Sequence, residues 1–98
     1  MQTYILLTKL SANDAVLLKE RKTIGRKWLE QVKDKCPEVR FIDHYALLGD
    51  YDFLDIYQAP DNETAAMISL ISKSAGAETA ISMPAIPYKN FLKLTEEL

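Results

Sequence analysis

The stretch that decides the fold is GDYDFLDIYQAPD, residues 49–61, in which acidic and aromatic side chains alternate. The Gly-Asp pair at its start is a two-residue hairpin signal, and Pro60 ends the apolar run that follows. We therefore predict a strand over residues 51–59, paired through a tight turn with a strand over residues 39–48. Because alternate side chains of a strand point to opposite faces, this strand has to serve two different surfaces.

The chain before this hairpin predicts one strand and one long helix. Residues 3–8 (TYILLT) are β-branched and aromatic, which is typical of a strand. Ser11 and Asp14 form a capping box, and a helical apolar stripe follows until Pro37 ends it. The weak helix formers at 23–25 predict a kink in its middle or a helix in two pieces.

The chain after the hairpin predicts a second helix, a strand and a short terminal helix. Asp61 is a good N-cap, and Gly76 ends the helix that it begins. Residues 77–86 then form a strand whose prolines place it at a sheet edge, and a helix spans 88–97. The order β-α-β-β-α-β predicts an α+β ferredoxin-like plait, one domain over 1–98, with an antiparallel sheet and both helices on one face.

The composition restricts the classes of partner and compartment. The 98 residues are 48% hydrophobic and 27% charged with a net charge of −2, which does not favour nucleic acid or an anionic membrane as partner. The single cysteine cannot form an internal disulfide, which suggests a reducing compartment. We see neither a signal peptide nor an apolar run long enough to cross a membrane, and we expect a cytoplasmic protein. No cofactor-binding motif is present, so we expect no cofactor.

The hairpin turn fixes which side chains share a face. With the Gly-Asp pair in the loop, Ala46 pairs with Phe53 and His44 with Asp55. One face then carries His44, Ala46, Leu48, Tyr51, Phe53, Asp55 and Tyr57. The other carries Phe41, Asp43, Tyr45, Leu47, Asp52, Leu54, Ile56 and Gln58, and because it holds more aliphatic residues we expect it to lie under the helices.

The first of these faces is then open in a monomer and too apolar to remain in water. We expect a homodimer or larger homo-oligomer that packs sheet against sheet through this face. Its interface residues would be Tyr51, Phe53, Asp55 and Tyr57. RNA-recognition modules share the element order and stack bases on such aromatics, but acidic residues at this position would repel phosphates.

The central segment LLGDYDFLDIYQAPDNETAA, residues 47–66, resembles the GYD-domain family, small proteins with a Gly-x-Tyr-Asp motif. That motif is Gly49, Tyr51 and Asp52 in this chain. The resemblance implies a dimeric α+β barrel, which agrees with the pattern above. It implies little about activity, because the biochemical role of the family is largely unassigned.

Two pairs of residues are candidates for chemistry. His44 is the only histidine, which cannot by itself build a usual metal site, so we expect no metal. His44 lies across the hairpin from Asp55, which could orient its imidazole as a general base, and His44 is therefore the candidate catalytic residue. The alternative is that His44 and Asp55 are a polar pair inside an interface. Arg26 on the first helix and Asp52 on the third strand form either a salt bridge or part of a ligand pocket lined by Tyr4 or Tyr45.

Three functions remain open on these grounds. The first is a small-molecule-binding or regulatory homo-oligomer in which Arg26 grips an anionic ligand. The second is a cofactor-independent isomerase or monooxygenase with His44 as its acid–base group. The third is an assembly subunit without a ligand. The first two require an accessible cavity, and the third predicts a filled one.

Overall fold

The fold is a four-stranded antiparallel sheet with its long helices packed on one face, as the computed structural model of residues 1–98 describes it. This confirms the predicted α+β ferredoxin-like architecture. The elements are β1 Gln2–Leu10, α1 Ala12–Ala15, a 3₁₀ turn Leu18–Glu20, α2 Arg21–Lys35, β2 Arg40–Ala46, β3 Phe53–Ala59, α3 Asn62–Ser74, β4 Ala77–Ala85 and α4 Tyr88–Thr95.

The helix ends follow the predicted caps, but the helix break does not follow the prediction. Ser11 Oγ accepts a hydrogen bond from the backbone N–H of Asp14, and Asp61 Oδ1 accepts one from Thr64. The helix is in two pieces, as one of the two alternatives predicted, but the division lies at the 3₁₀ turn between α1 and α2, and α2 runs without a break through residues 23–25. Gly25 therefore lies inside a continuous helix, where its low helix propensity is tolerated because the flanking turns are complete.

The strand order is β2-β3-β1-β4, so β4 is an edge strand as its prolines predicted. The β2–β3 register pairs His44 with Asp55 and Ala46 with Phe53, which confirms the predicted pairing. The connection is longer than a two-residue turn, because the regular strands end at Ala46 and resume at Phe53. One irregularity, between Phe41 and Asp43, shifts the register near the start of β2.

The assignment of the two faces was wrong. Asp55 and Tyr57 are buried beneath the helices, and His44 and Phe53 share their side of the sheet. The side with more aliphatic residues was expected to lie under the helices, but polar side chains can be buried there because they have hydrogen-bond partners. The Tyr57 hydroxyl, for example, donates to Ser82 Oγ at 2.8 Å. Phe53, Asp55 and Tyr57 are therefore not available for a sheet-to-sheet interface, and Tyr51 precedes β3.

Four aromatic side chains pack against one another in and beside the core under the helices. Tyr4 and Tyr57 stack with ring centroids 5.4 Å apart, and Phe41 lies between Tyr57 and Trp28. The shifted register at the start of β2 places Phe41 opposite Tyr57, on the helix side of the sheet. Full burial of each large side chain stabilises the fold by about 1.5–3 kcal/mol. The core thus anchors α2 and α3 at one end of the sheet.

The open face of the sheet is apolar as well. Its side chains alternate with the buried ones along the paired strands and include Ile5, Leu7, Leu54, Ile56, Ile81 and Met83. Of these, Ile81 and Met83 are substantially exposed, as is Tyr45 on β2. An exposed apolar face is thus still a reason to expect self-association, but this face carries the side chains that were expected to lie under the helices. None of the helices combines the length and the apolar character that crossing a bilayer requires.

Candidate functional site

A cavity of about 600 Å³ lies between α2 and the end of the sheet that carries Leu10 and Phe53. The sheet supplies its floor, α2 supplies its roof, and Ser72, Ala75 and Ala77 close one side. The volume is within the range of typical small-molecule sites. Aromatic side chains form much of the wall: Trp28, Phe41 and Phe53.

The floor of the cavity carries a hydrogen-bonded His–Asp pair. His44 Nδ1 lies 2.6 Å from Asp55 Oδ1, as the cross-strand pairing of these residues requires. The Asp55 side chain is only 6% exposed, whereas that of His44 is 60% exposed. Burial raises the pKa of the Asp55 carboxyl, and the neighbouring His44 and Arg21 offset that rise only in part. The buried carboxylate thus orients an imidazole that solvent or a ligand can reach.

The roof of the cavity carries an arginine that is near enough to Asp55 to offset part of the rise in the pKa of that carboxyl but forms no ion pair within 4 Å. The Arg21 guanidinium lies 4.7 Å from the centre of the Phe53 ring, in a cation–π contact. The ion pairs of the structure are Lys9–Glu78 and His44–Asp55, so neither Arg21 nor Arg26 is paired with a carboxylate. A guanidinium that an aromatic ring holds in place, with its N–H groups free, is well suited to bind a carboxylate.

One glycine leaves room beneath α2. A Cβ atom added at Gly25 would meet no heavy atom within 4 Å, although this residue lines the cavity. Glycine in a helix interior destabilises the helix by roughly 0.5–1 kcal/mol relative to alanine. Alanine would fit at position 25 and would favour the helix, so the packing of this chain does not by itself require glycine or the empty space beside it.

The structure brings together only part of the predicted ligand site. Arg26 lines the cavity at the surface, together with His44. Tyr45 points to the open face, where its hydroxyl donates to Asp43 at 2.7 Å. Tyr4 is buried in the core and donates to Asn62 Oδ1 at 2.7 Å.

The predicted Arg26–Asp52 salt bridge is absent. Asp52 Oδ2 instead accepts a 2.7 Å hydrogen bond from the backbone N–H of Leu10. The backbone of Asp52 also bonds Thr8 and Leu47, so this residue fastens the β2–β3 connection to the end of β1. The prediction failed because the Asp52 carboxylate accepts from a backbone donor at the end of β1 instead of pairing with a side chain of α2. Asp52 has a structural role in this arrangement.

Sequence reasoning missed Arg21, Gly25 and Phe53 as parts of the site. A signal existed, since Arg21, Gly25 and Trp28 follow one another at steps of four and three and share a helix face. The interpretation of Gly25 as a kink obscured that signal. The cavity residues form no cluster of three or more histidine, cysteine or acidic side chains that could hold a metal ion.

Comparison with known proteins adds a family and a fold. The family model described as the GYD domain matches residues 4–95. A relative from Thermus thermophilus, named glutamine synthetase and cystathionine beta-lyase binding protein, is 32% identical over 93 residues, which cover 94% of this chain and 96% of that protein. The family match bears out the resemblance of the central segment.

Two solved structures have a similar fold. The crystal structure of FFRP-DM1 superposes with a TM-score of 0.56 at 20% identity, covering 88% of this chain and 100% of that one. A hypothetical protein, PHS023 from Pyrococcus horikoshii, has a TM-score of 0.54 at 24% identity and covers 89% and 92% of the two chains. At these identities the similarity concerns the fold alone.

Proposed function

Because this chain belongs to the GYD-domain family and is 32% identical to a protein named for binding two enzymes, we propose that it is a regulatory binding protein. It takes a small organic acid in the cavity beneath α2 and associates with itself and with a protein partner. The observation that carries this proposal is the unfilled cavity, with aromatic walls and an unpaired arginine at its mouth.

The chemistry of the wall specifies the class of ligand. Trp28, Phe41 and Phe53 favour an apolar or aromatic body, and Arg21 and Arg26 favour a carboxylate at the solvent side. The His44–Asp55 pair offers a hydrogen-bonding group at the floor. An assembly subunit without a ligand would be expected to fill such a space with its own side chains, so the cavity weighs against that alternative.

Self-association is proposed through the open face of the sheet. Ile81, Met83 and Tyr45 are exposed there beside the aliphatic side chains of β1 and β3. A contiguous apolar surface of this kind is stabilised when a second copy covers it. Such a homodimer places the two ligand cavities on its outside, because the helices lie on the opposite face of each sheet.

The protein partner is proposed from the Thermus thermophilus relative. That protein is named for binding two enzymes, and we propose that this chain likewise binds an enzyme whose activity it regulates. The one cysteine is buried and unpaired, in keeping with the cytoplasmic location that we propose. Size-exclusion chromatography with purified glutamine synthetase and cystathionine beta-lyase tests the partner directly, and elution of each protein alone would remove it.

The ligand is tested first by native mass spectrometry of the purified protein. Extra bound mass would identify the natural ligand, and benzoate, phenylacetate and hexanoate then serve as titration probes. Loss of a charge-assisted hydrogen bond amounts to about 1.5–3 kcal/mol, so Arg21→Gln should weaken probe binding about 10- to 100-fold. Lys27→Gln, on the same helix but outside the cavity, is the matched control. A protein with no bound mass and no affinity for any probe would refute the proposed ligand site.

A second candidate function is supported by one observation, the short His44–Asp55 contact. An imidazole held through Nδ1 by a buried carboxylate leaves Nε2 free to accept a proton from a bound acid, as in a cofactor-independent isomerase. Phenylpyruvate is a suitable probe, because its C3 protons exchange in D₂O when a base removes them. Accelerated exchange that His44→Gln abolishes, with binding retained, would establish the enzyme; exchange at the uncatalysed rate would leave the binding function alone.

A further inference from the structure

The cavity beneath α2 has more basic than acidic side chains in its lining. Three cations, Arg21, Lys22 and Arg26, line it, and Asp55 is the one acidic residue among the lining residues. None of the three cations forms an ion pair within 4 Å. The chain as a whole carries a net charge of −2, so the excess of at least two positive charges is a local property of this cavity.

The three cations lie at two depths. Arg21 is half-buried, and its guanidinium lies 4.7 Å from the centre of the Phe53 ring. Lys22 and Arg26 are exposed at the mouth of the cavity. Because they are four residues apart on one helix, their side chains are neighbours on its surface. The cavity thus has an inner cation and an outer pair of cations.

The stability of α2 does not account for this arrangement. Arg21 and Lys22 lie in the first turn of the helix, which has no acidic residue, so their charges add to the positive end of the helix dipole. Lys22 and Arg26 have a spacing at which like charges destabilise a helix. The adjacent Glu20 forms no ion pair with any of them. Since folding disfavours these positions, an anion bound from outside the chain is a better reason for them.

We propose that the ligand of the cavity is a dianion, an apolar or aromatic body that carries two negative charges at one end. Arg21 holds the first charge beside the Phe53 ring, and Lys22 and Arg26 hold the second charge at the mouth. The inference rests on the proposed ligand site and specifies the head group of its ligand, because a monocarboxylate would leave the outer pair without a counter-charge.

Two head groups have this chemistry. A phosphate monoester carries both charges on one group, whose oxygens can accept hydrogen bonds from a guanidinium and an ammonium at once. A dicarboxylate carries the two charges on separate carbon atoms. The test therefore compares each kind of dianion with a monoanion of the same shape.

The test is calorimetric titration of the full chain at pH 8 and low ionic strength. Phenyl phosphate is a dianion at this pH, whereas phenyl sulfate has the same tetrahedral head group and one charge less. Phenylsuccinate is compared in the same way with 3-phenylpropionate, which lacks one of its carboxylates. We expect at least one dianion to bind about tenfold more tightly than its monoanionic match, and the pair that shows this difference identifies the head group.

The outcomes separate this inference from the proposed function. If neither dianion binds more tightly than its match, the inference is wrong, although binding of phenyl sulfate or 3-phenylpropionate would leave the proposed ligand site in place. If none of the four compounds binds, both are wrong. In the wild type the preference for the dianion should also shrink several-fold when NaCl is raised from about 20 to about 300 mM, because the outer pair is exposed to solvent.

Neutralisation of the outer pair identifies the residues responsible. The double variant Lys22→Gln with Arg26→Gln should reduce the preference for the dianion to within about twofold, while the affinity for the monoanion changes less than about threefold. The matched control is Lys27→Gln with Lys33→Gln, which removes two exposed charges of the same helix that do not line the cavity. A preference that survives in the first double variant, or that falls equally in the control, overturns the assignment.

Thermal denaturation of the same variants excludes a structural cause. Because Lys22 and Arg26 oppose the electrostatics of α2, the first double variant should melt at or above the wild-type temperature while it loses the preference for the dianion. A lower Tm would show that the two cations stabilise the fold, and would remove the reason to assign them to a ligand.

Discussion

Substitution of Gly25 tests the space beneath α2 and should stabilise the protein. The residue lies inside α2 and has no positive φ. A Cβ atom added to it would have no heavy atom within 4 Å. Alanine is favoured over glycine in a helix interior by about 0.8–1.0 kcal/mol. With no steric contact to subtract, Gly25→Ala should raise the free energy of unfolding by nearly that amount. For a domain of this size that corresponds to an increase in Tm of about 4–8 °C.

A larger side chain at the same position separates stability from binding. Gly25→Leu keeps the gain in helix propensity but extends three further carbon atoms into the cavity that Gly25 lines. The variant should therefore melt at or above the wild-type temperature while its affinity for a carboxylate probe falls at least tenfold. This combination distinguishes a filled ligand site from a disrupted fold.

The assays are thermal denaturation followed by circular dichroism, and titration with phenylacetate followed by calorimetry. Thr23→Ala is the matched control: Thr23 is exposed on the same helix, does not line the cavity, and gains helix propensity without changing the cavity. A lower Tm for Gly25→Ala would show that atoms do occupy the space beneath it. Undiminished affinity in Gly25→Leu would show that the ligand lies elsewhere.

Three further predictions concern the polar and ionisable side chains of Tyr57, Asp52 and Cys36. Burial raises the pKa of Tyr57 to about 12, so the unfolded chain releases this proton at lower pH than the native one and stability falls as the pH rises from 10 to 12; Tyr57→Phe should remove that part of the decline in alkaline denaturation curves. Asp52→Ala leaves the backbone N–H of Leu10 without its acceptor and should lower the free energy of unfolding by about 1–3 kcal/mol in urea titrations, whereas an unchanged midpoint would deny the fastening role. Burial raises the pKa of the Cys36 thiol, so a disulfide reagent should modify native protein far more slowly than urea-unfolded protein; equal rates would contradict its burial.

The sequence predicted the pairing of the hairpin but not the orientation of its faces. A two-residue period divides β3 into two sets of side chains, and the turn aligns them with β2, which is why His44 and Asp55 were correctly paired. The two-residue period of β3 carries no information about which of its two sets of side chains the helices cover. That choice depended on partners distant in the sequence, such as Ser82 for the Tyr57 hydroxyl, and no local pattern reports them.

The site was predicted in part for a similar reason. Arg26 and His44 do line one cavity, because helical and strand periods place them toward each other. Arg21 was missed because its position depends on where the helix begins. The helix was expected to be interrupted at residues 23–25, whereas the 3₁₀ turn at Leu18–Glu20 interrupts it earlier, restarts it at Arg21 and sets that side chain over Phe53. A backbone irregularity of three residues thus decided which arginine lies over Phe53 at the cavity floor.

The alternation in β3 connects the two surfaces that the proposed function requires. Phe53 and Asp55 belong to the cavity floor, and Leu54 and Ile56, between and beyond them, belong to the open face. Under the proposed function, a ligand that contacts β3 from one side would therefore stabilise the same backbone that a second copy would contact from the other. Linkage is reciprocal, so phenylacetate should tighten self-association by the factor by which self-association tightens phenylacetate binding. Sedimentation equilibrium with and without saturating phenylacetate measures this factor, and identical association constants would mean that β3 separates the two surfaces without coupling them.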